Sequence, residues 1–564
     1  MTESSRWWFR LAFSALLTMA SVPSWCQPAT LVRDLRVSGS LTPASSSPNQ
    51  FQVLGDKLLF IAGEPSTGGG LWATDGTSAG TELLAVGVSR ILGRIGKVAF
   101  WSTGSGAELG RSDGTRAGTY SLTPPDSGVQ ALTSSALGFE AAFTSHRLFF
   151  LGCTLEDGCQ PWSTDGTRAG TQLLKKLADQ RLQVYQYIHF VAAGDKLFLF
   201  NKTLAGDTLW VSDGTAAGTV ELKGLGTTGI DATAAVDGRV FFLAPGGNAG
   251  TEVWTSDGTV AGTRALTNLR FREPFLEFPE LIAVGRRVYF VAADTQHGRQ
   301  LWRSDGTPAG TQPITAFKNA EPFPAEQKTP VREVGDYAVF IATDGSGMPK
   351  LWSSRGGPSS VTPVFDPCHG SCDPFFASRV LATVGQRVVF FATDEAHGIE
   401  PWSTDGTAAG TQLLRDTCPG PCSYVAPSSI IELPGLVTFY GSSSSSSSQY
   451  WQTDGTPSGT RPIAQFSGDA PRDAARQAAK RGLAGRDIAY LPAAAIFDGA
   501  LYFNWKDERG SELWRSRGGS PASLVADMAR DEPSADPQDL TAFQDRLYFT
   551  ADAGTGRSLW RSDG

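Results

Sequence analysis

Short apolar runs alternate with glycine- and aspartate-rich turns along almost the whole chain. One class of run combines β-branched and aromatic residues over four positions, as at 57–60, 147–150, 287–290, 387–390 and 546–549. A second class of run, such as FQVLG at 51–55, lies just before the first in each unit. A third class, such as TELLAV at 81–86, lies after the first in the same unit. Runs this short, bounded by turn residues, predict buried β-strands rather than helices. We therefore predict an all-β fold.

A tryptophan recurs at a fixed place in this pattern. The string LWATDGTSAGT at 71–81 returns with small changes, and eleven units align on the position of its tryptophan. One unit has Gly110 at that position. The other ten carry the tryptophan: Trp72, Trp162, Trp210, Trp254, Trp302, Trp352, Trp402, Trp451, Trp514 and Trp560. A side chain of this size at one place in every unit predicts a packing anchor between units.

The Asp-Gly-Thr that follows the tryptophan strand predicts a tight hairpin turn. Glycine accepts positive φ, and aspartate accepts hydrogen bonds from nearby backbone N–H groups. Examples of these turn residues are Asp75, Gly76, Asp165, Gly166, Asp305 and Gly306. The alternative is a calcium ion at each aspartate, but a calcium loop needs several oxygen-bearing side chains at fixed steps. We predict a structural turn, with no metal and no cofactor.

Four strands in each unit of about 49 residues predict the blades of a β-propeller. The tryptophan lies on the third strand, and the turn joins it to the fourth. The chain stops on LWRSDG, before a fourth strand, whereas ATLVRDL at 29–35 resembles a fourth strand. We expect this N-terminal strand to complete the C-terminal unit. Eleven units exceed the usual four to eight blades, so the region 27–564 forms one large ring or two, and we favour two.

Two segments lie outside the repeat. Residues 1–26 combine two early arginines with a short apolar run, which predicts a signal peptide and a secreted, periplasmic or cell-surface protein. Lipidation at Cys26 is disfavoured, because Trp25 stands where a small residue is required. Residues 467–487 are rich in alanine, arginine and lysine and predict a helical insertion. The apolar run within residues 1–26 is too short to span a membrane, and no second apolar run reaches spanning length. A formal net charge of −8 argues against a nucleic-acid partner.

The cysteines support export. Beyond Cys26, six cysteines form three close pairs, which favour loop-clamping disulfides in an oxidising compartment. The candidates are Cys153 with Cys159, Cys368 with Cys372, and Cys418 with Cys422. Zinc binding is the alternative, with His369 beside Cys368, but each cluster offers too few ligands for a closed site.

Candidate chemistry is sparse, and we predict no catalytic residue. The five histidines are His146, His189, His297, His369 and His397, and none has a metal-ligand spacing. His297 and His397 occupy matching places in the loops between second and third strands, which favours a structural role. Acidic residues cluster in the same loops, including Asp344, Asp394 and Glu395, so a carboxylate pair across blades is an open alternative.

The repeat resembles that of the bacterial ELWxxDGT family, exported repeat proteins of myxobacteria and their relatives. The resemblance is carried by Glu512–Leu513–Trp514 and by EVWTSDGT at 252–259. It implies an exported, propeller-like protein and implies no catalytic residues.

Three functions follow from this sequence. The first is a non-catalytic, exported binding or scaffold module with an unknown protein or glycan ligand, held by loops on a rigid scaffold. The second is a propeller-type enzyme, either glycan-cleaving or quinone-dependent. The third is an adhesion protein that binds calcium or sugar. An enzyme should show polar residues that occur in single units and do not repeat, and the structure can be searched for these.

Overall fold

The computed structural model contains eleven antiparallel four-stranded sheets in its described part, arranged as the blades of a β-propeller. The all-β, eleven-bladed prediction is confirmed. The structure describes residues 29–33, 46–63, 69–104, 108–123, 129–132, 141–154, 156–177, 187–203, 205–226, 232–246, 250–268, 280–294, 298–318, 322–323, 330–343, 349–366, 380–394, 396–417, 430–433, 435–444, 447–465, 494–507, 510–517, 522–526, 535–552, 554 and 556–563. The predicted signal peptide and the predicted insertion at 467–487 lie outside these residues.

Each blade has strands a, b, c and d in sheet order. Blades 1 to 4 comprise Asn49–Leu54, Lys57–Ala62, Gly70–Thr74 and Glu82–Val86; Val88–Ile95, Val98–Thr103, Leu109–Ser112 and Tyr120–Ser121; Gln130–Leu132 with Ala142–Phe143 as a divided strand a, Leu148–Thr154, Gly158–Thr164 and Gln172–Leu173; and Tyr187–Ala193, Lys196–Lys202, Asp207–Ser212 and Val220–Gly226. Blades 5 to 8 comprise Thr233–Val236, Arg239–Pro245, Thr251–Ser256 and Arg264–Ala265; Ile282–Val284, Arg287–Asp294, Gly298–Ser304 and Gln312–Pro313; Val331–Val334, Tyr337–Thr343, Pro349–Ser354 and Thr362–Phe365; and Ala382–Val384, Arg387–Asp394, Gly398–Thr404 and Gln412–Leu413. Blades 9 to 11 comprise Ile431–Leu433, Leu436–Ser444, Ser447–Thr453 and Arg461–Gln465; Ala494–Phe497, Ala500–Asp507, Gly510–Arg517 and Ser523–Ala526; and Gln538–Phe543, Arg546–Asp552, Arg557–Ser562 and Thr30–Arg33. One 3₁₀ turn, Pro358–Ser360, precedes strand d of blade 7.

The blades form one ring. An apolar cluster fills each interface between consecutive blades, and these clusters are the protein's core. The cluster that closes the ring joins Phe543 and Tyr548 of blade 11 to Phe60 and Trp72 of blade 1. The expectation of two rings was therefore wrong, because every described blade packs against both sequence neighbours.

The N-terminal strand closes the ring as predicted. Thr30–Arg33 is strand d of blade 11 and pairs antiparallel with strand c, with Leu31 opposite Trp560. Val32 is buried in the cluster between blades 11 and 1, whereas Leu31 is exposed. This pairing covers the last sheet edge with a strand from the other end of the chain.

The repeated tryptophan packs against the preceding blade. Trp254 of blade 5, for example, contacts the cluster that contains Phe198 and Phe200 of blade 4. Across its own sheet it faces Phe242 with the rings stacked, 6.3 Å between centroids. At about 25 cal/mol per Å², covering about half of an indole's 150–250 Å² stabilises the fold by about 2–3 kcal/mol.

The Asp-Gly-Thr turn is held by its own side chains. In blade 1, Asp75 Oδ1 accepts hydrogen bonds from the backbone N–H of Thr77 at 2.9 Å and from its hydroxyl at 2.7 Å. The Thr77 hydroxyl in turn accepts from Gly80 N–H at 2.9 Å. A Cβ at Gly80 would overlap the Asp75 carboxylate. The aspartate bonds recur in all eight intact turns.

The same turn is also a contact between blades. The first glycine has positive φ, for example +92° at Gly214, and its carbonyl accepts a hydrogen bond from the preceding blade. Ser163 Oγ of blade 3 donates to Gly214 O at 2.6 Å, and Ser403 Oγ of blade 8 donates to Gly455 O at 2.8 Å. In these two cases the turn thus fastens one blade to the next.

Of the three predicted cysteine pairs, one lies in the described part. Cys153 and Cys159 face each other across strands b and c of blade 3 and are disulfide-bonded. Cys368, Cys372, Cys418 and Cys422 lie outside the described residues. None of the described segments forms a helix long and apolar enough to cross a membrane.

Candidate functional site

One hairpin in the described part of the chain places a carboxylate against an imidazole. In blade 8, strand b ends at Asp394 and strand c begins at Gly398, directly opposite. Gly398 has a φ of +70°, which lets the chain reverse tightly. Asp394 Oδ1 accepts hydrogen bonds from the backbone N–H of Ala396 at 3.0 Å and of His397 at 2.6 Å. The carboxylate therefore fixes the loop that presents His397.

The second oxygen of Asp394 binds the imidazole. Oδ2 lies 2.7 Å from His397 Nδ1. The side chain of Asp394 is 16% exposed and that of His397 35% exposed, so the pair lies at the surface with its carboxylate mostly covered. In the described part of the chain, no residue forms a hydrogen bond with Nε2 of His397. That nitrogen is the one left for a substrate or a water molecule.

The surroundings of His397 favour its protonated form. The hydrogen bond to Asp394 raises the pKa of His397 above its usual value, and partial desolvation opposes this. The charges of Asp394, Asp416 and Glu400 act in the same direction as the hydrogen bond. The charges of three carboxylates thus favour the protonated imidazole, Asp394 by direct contact, as in sites where an acid is kept protonated near neutral pH.

Two of these carboxylates are buried in different ways. Glu400 is fully buried, and its Oε2 accepts hydrogen bonds from the N–H and the hydroxyl of Thr417 at 2.7 and 2.6 Å. Oδ1 of Asp416, on the segment after strand d, is buried and has no hydrogen-bond partner in the described part of the chain. The Thr393 hydroxyl beside Asp394 is likewise buried and unpaired there. Buried polar atoms without partners call for an explanation, such as a bound water or a functional role.

The loop cap alone is a structural device. In blade 11, Asp552 Oδ1 accepts from the N–H groups of Gly554 and Gly556 at 3.0 and 2.9 Å, without a histidine. Asp394 therefore combines this common cap with a second contact, to an imidazole. What distinguishes blade 8 is the addition of His397 and Asp416 to the capped loop.

The other candidates from the sequence are scattered or fall outside the described residues. His146 is exposed on the a–b hairpin of blade 3, at the opposite face of the ring. His189 lies on strand a of blade 4, with Nε2 3.1 Å from the Thr233 hydroxyl of blade 5. His297, His369, Asp344 and Glu395 lie outside the described residues. The carboxylate pair across blades therefore stays a prediction, and among the described residues the structure brings together a carboxylate and an imidazole within one blade.

Sequence reasoning missed Glu400 and Asp416. Glu400 holds the position of the glutamate in the Glu-Leu-Trp pattern, so the sequence gives it no feature that separates it from the repeat. Asp416 follows strand d in a segment without a recognisable motif. The spacing Asp-x-x-His-Gly, followed by a buried glutamate, was the available signal. Among the described residues, no three histidine, cysteine, aspartate or glutamate side chains are arranged to hold a metal ion.

The comparisons with known proteins concern the fold. No family model matches the chain, and no curated protein matches it in sequence. A puromycin hydrolase mutant complexed with PGG matches at 12% identity and a TM-score of 0.27, over 65% of this chain and 61% of that one. An oligogalacturonate lyase in complex with manganese matches at 12% identity and 0.28, over 54% and 87%. The β-propeller domain of the trilobed protease from Pyrococcus furiosus matches at 10% and 0.25, over 59% and 98%.

These matches correct the leading interpretation from the sequence. The leading interpretation was a non-catalytic binding or scaffold module, whereas the matched structures are propeller-containing hydrolases, proteases and lyases, which agree better with its alternative, a propeller-type enzyme. The chain spans less than two thirds of the puromycin hydrolase it matches. Likeness this weak says nothing about reaction or site, and activity is not established by it.

Proposed function

We propose that this chain is a propeller-type enzyme in which His397 donates a proton during the hydrolysis of a neutral glycan. The observation that carries the proposal is the imidazole bound to Asp394 at 2.7 Å, partly exposed, and close enough to Asp416 for that charge to raise its pKa. A charged imidazole with an open nitrogen is a suitable general acid for an oxygen leaving group.

The proposed step uses two groups. As the bond between carbon and the leaving oxygen breaks, the Nε2 proton of His397 passes to that oxygen. A water molecule forms the new bond to carbon and gives its proton to the carboxylate of Asp416, whose Oδ1 has no partner among the described residues. The proton then returns from Asp416 to His397 through solvent. An acid and a base flanking the scissile bond are the general requirement of glycoside hydrolysis.

The local charge favours a neutral substrate. Asp394, Glu400 and Asp416 supply three negative charges around one imidazolium, so a carboxylated or phosphorylated substrate would be repelled. Sugar hydroxyls avoid this repulsion and can donate hydrogen bonds to carboxylates. These considerations support a neutral glycan over an anionic one.

The test is hydrolysis of neutral aryl glycosides and polysaccharides by the purified full chain. We expect His397→Ala and Asp416→Asn each to lower kcat by about 10²-fold or more, the usual contribution of general acid or base catalysis. His146→Ala, which removes an exposed histidine from the opposite face, should retain full activity and serves as the matched control. Equal activity in His397→Ala and His146→Ala, or no turnover of any neutral glycan, would contradict the proposal.

We also propose that the enzyme is exported. The signal-like segment 1–26 and the three close cysteine pairs support this, as does the resemblance to the exported ELWxxDGT repeat proteins. Mass spectrometry of the protein recovered from the medium or periplasm would test it. A mature N-terminus near residue 27 is expected, and recovery of the full-length chain from the cytoplasm would contradict it.

A further inference from the structure

The residue two positions before the repeated tryptophan clamps the segment that leads to the next blade. In blade 3, Gln160 Oε1 accepts from Leu177 N–H at 2.8 Å, and its Nε2 donates to Leu177 O at 3.2 Å. In blade 6, Gln300 forms the equivalent pair with Phe317 at 3.0 and 3.1 Å. In blade 8 the clamp is Glu400, bound to Thr417. All three partners lie 17 residues after the clamp residue.

An amide is therefore sufficient for the clamp. Gln160 and Gln300 are buried, at 3% and 0% exposure, and each bonds both the N–H and the C=O of its partner. Burying a carboxylate costs more free energy than burying an amide of the same shape. Glutamates also stand at this position in blades 5 and 10, as Glu252 and Glu512, so the charge alone does not single out blade 8. In blade 8 the described chain also places a histidine near this residue, bonded to Asp394.

Glu400 links the parts of the candidate site. It lies three residues after His397 along the chain. In the b–c ladder it is opposite Ala392, which lies two residues before Asp394. Its bonds to Thr417 fix the backbone next to Asp416. The same carboxylate thus determines where Asp416 lies relative to the imidazole and adds its own charge to that environment.

We propose that Glu400 is a positioning residue of the His397 site: through its bonds to Thr417 it fixes the backbone next to Asp416 and so sets the electrostatic surroundings of the imidazole. The effect on catalysis rests on the proposed function, but the effect on the imidazole does not. The titratable groups that act on His397 come from three elements: Asp394 at the end of strand b, Glu400 on strand c, and Asp416 after strand d. Arg415 is exposed, and its charge would act in the opposite direction.

The experiment separates the clamp from the charge. Glu400→Gln keeps an amide that the fold uses at the same place in blades 3 and 6, whereas Glu400→Ala removes clamp and charge together. The readouts on the full chain are the His397 titration, followed by NMR and assigned with His397→Ala, and the melting temperature. Gln300→Glu in blade 6 is the matched control, because it makes the converse exchange at a clamp in another blade.

We expect Glu400→Gln to move the His397 midpoint to lower pH and to leave the melting temperature close to that of the parent. Glu400→Ala should lower both, and Gln300→Glu should leave the His397 midpoint unchanged. Coincident His397 titrations in the parent and Glu400→Gln would overturn the proposal. If the His397 titration moves but no glycan is hydrolysed, the positioning role of Glu400 stands and the proposed function fails. If glycans are hydrolysed but the His397 titration does not move, the proposed function stands and the positioning role fails.

Discussion

Trp101 lies directly opposite Gly110 in the sheet of blade 2, and its indole fills the space that a side chain at Gly110 would occupy. In most blades the same two positions hold a phenylalanine on strand b and the repeated tryptophan on strand c, as in Phe290 and Trp302, with rings stacked 6.3 Å apart. Blade 2 thus has its large ring on the neighbouring strand. Trp101 is buried in the cluster between blades 1 and 2, so the interface keeps its indole.

This exchange predicts coupled substitutions. Gly110→Trp alone should be destabilised by about 1–3 kcal/mol or more through overpacking. Trp101→Phe alone should lose about 1–3 kcal/mol, because a smaller ring leaves a cavity. The double variant restores the pair found in the other blades and should recover most of the loss. Urea unfolding of all four proteins measures the coupling.

The control is the same double-mutant cycle in blade 6, where Phe290→Trp and Trp302→Gly transfer the arrangement of blade 2. If the two single changes in blade 2 add without coupling, the two positions do not share one space, and the proposed exchange is wrong.

A second prediction concerns the inner glycine of the turn. The φ of Gly80 is one that any residue can adopt, so its backbone conformation does not require glycine. Glycine is required because a Cβ at this position would overlap the Asp75 carboxylate. Gly80→Ala should therefore lower the free energy of unfolding by about 1–3 kcal/mol, since the aspartate must leave its bonds to Thr77. Gly224→Ala is the control, because a Cβ there meets nothing within 4 Å. Equal losses in both variants would show that the space around Asp75 is not the reason.

The repeat made the architecture predictable, because both the tryptophan and the turn recur in register with the strands. The sequence predicted the closure of the ring by 29–35 for the same reason. It could not show that the turn glycine binds the preceding blade, since Ser163 and Gly214 lie 51 residues apart. Nor could it show that Trp101 replaces the indole missing at Gly110, because that pairing appears only once strands b and c are laid side by side.

The candidate site was less predictable than the fold. The sequence shows His397 and Asp394 in one loop. A histidine at the matching place in blade 6, His297, favours a structural role for this pattern. The decisive partners, Glu400 and Asp416, come from strand c and from the segment after strand d. Only the folded blade brings these segments to the loop, and only the pairing of Glu400 with Thr417 fixes Asp416 there.

The Asp394–His397 pair predicts a pH-dependent stability. Since the folded-state pKa of His397 is raised above its unfolded value of about 6.5, the pair's contribution is fully present below that pH and is lost as pH rises through the folded-state pKa. Asp394→Asn keeps an oxygen for the loop N–H groups but removes the charge. The loss of stability in this variant should be larger at about pH 5.5 than at about pH 9.

The matched control for that measurement is Asp552→Asn in blade 11, where the same loop cap has no histidine. Its loss of stability should show no such dependence between the two pH values. A stability difference between the parent and Asp394→Asn that is the same at both pH values would show that the imidazole is not charged by its contact with Asp394.

The last prediction tests ring closure through two neighbouring residues of one strand. Val32 is 4% exposed in the cluster between blades 11 and 1, whereas Leu31, one position earlier, is 44% exposed. Val32→Asp places an unpaired charge in that cluster and should cost about 3 kcal/mol or more, with increased aggregation from the uncovered edge of strand c. Leu31→Asp should stay within about 0.5 kcal/mol of the parent. Because both substitutions create the same side chain on the same strand, only burial against blade 1 distinguishes them. Equal unfolding midpoints, measured in urea, would mean that this strand does not close the ring in solution.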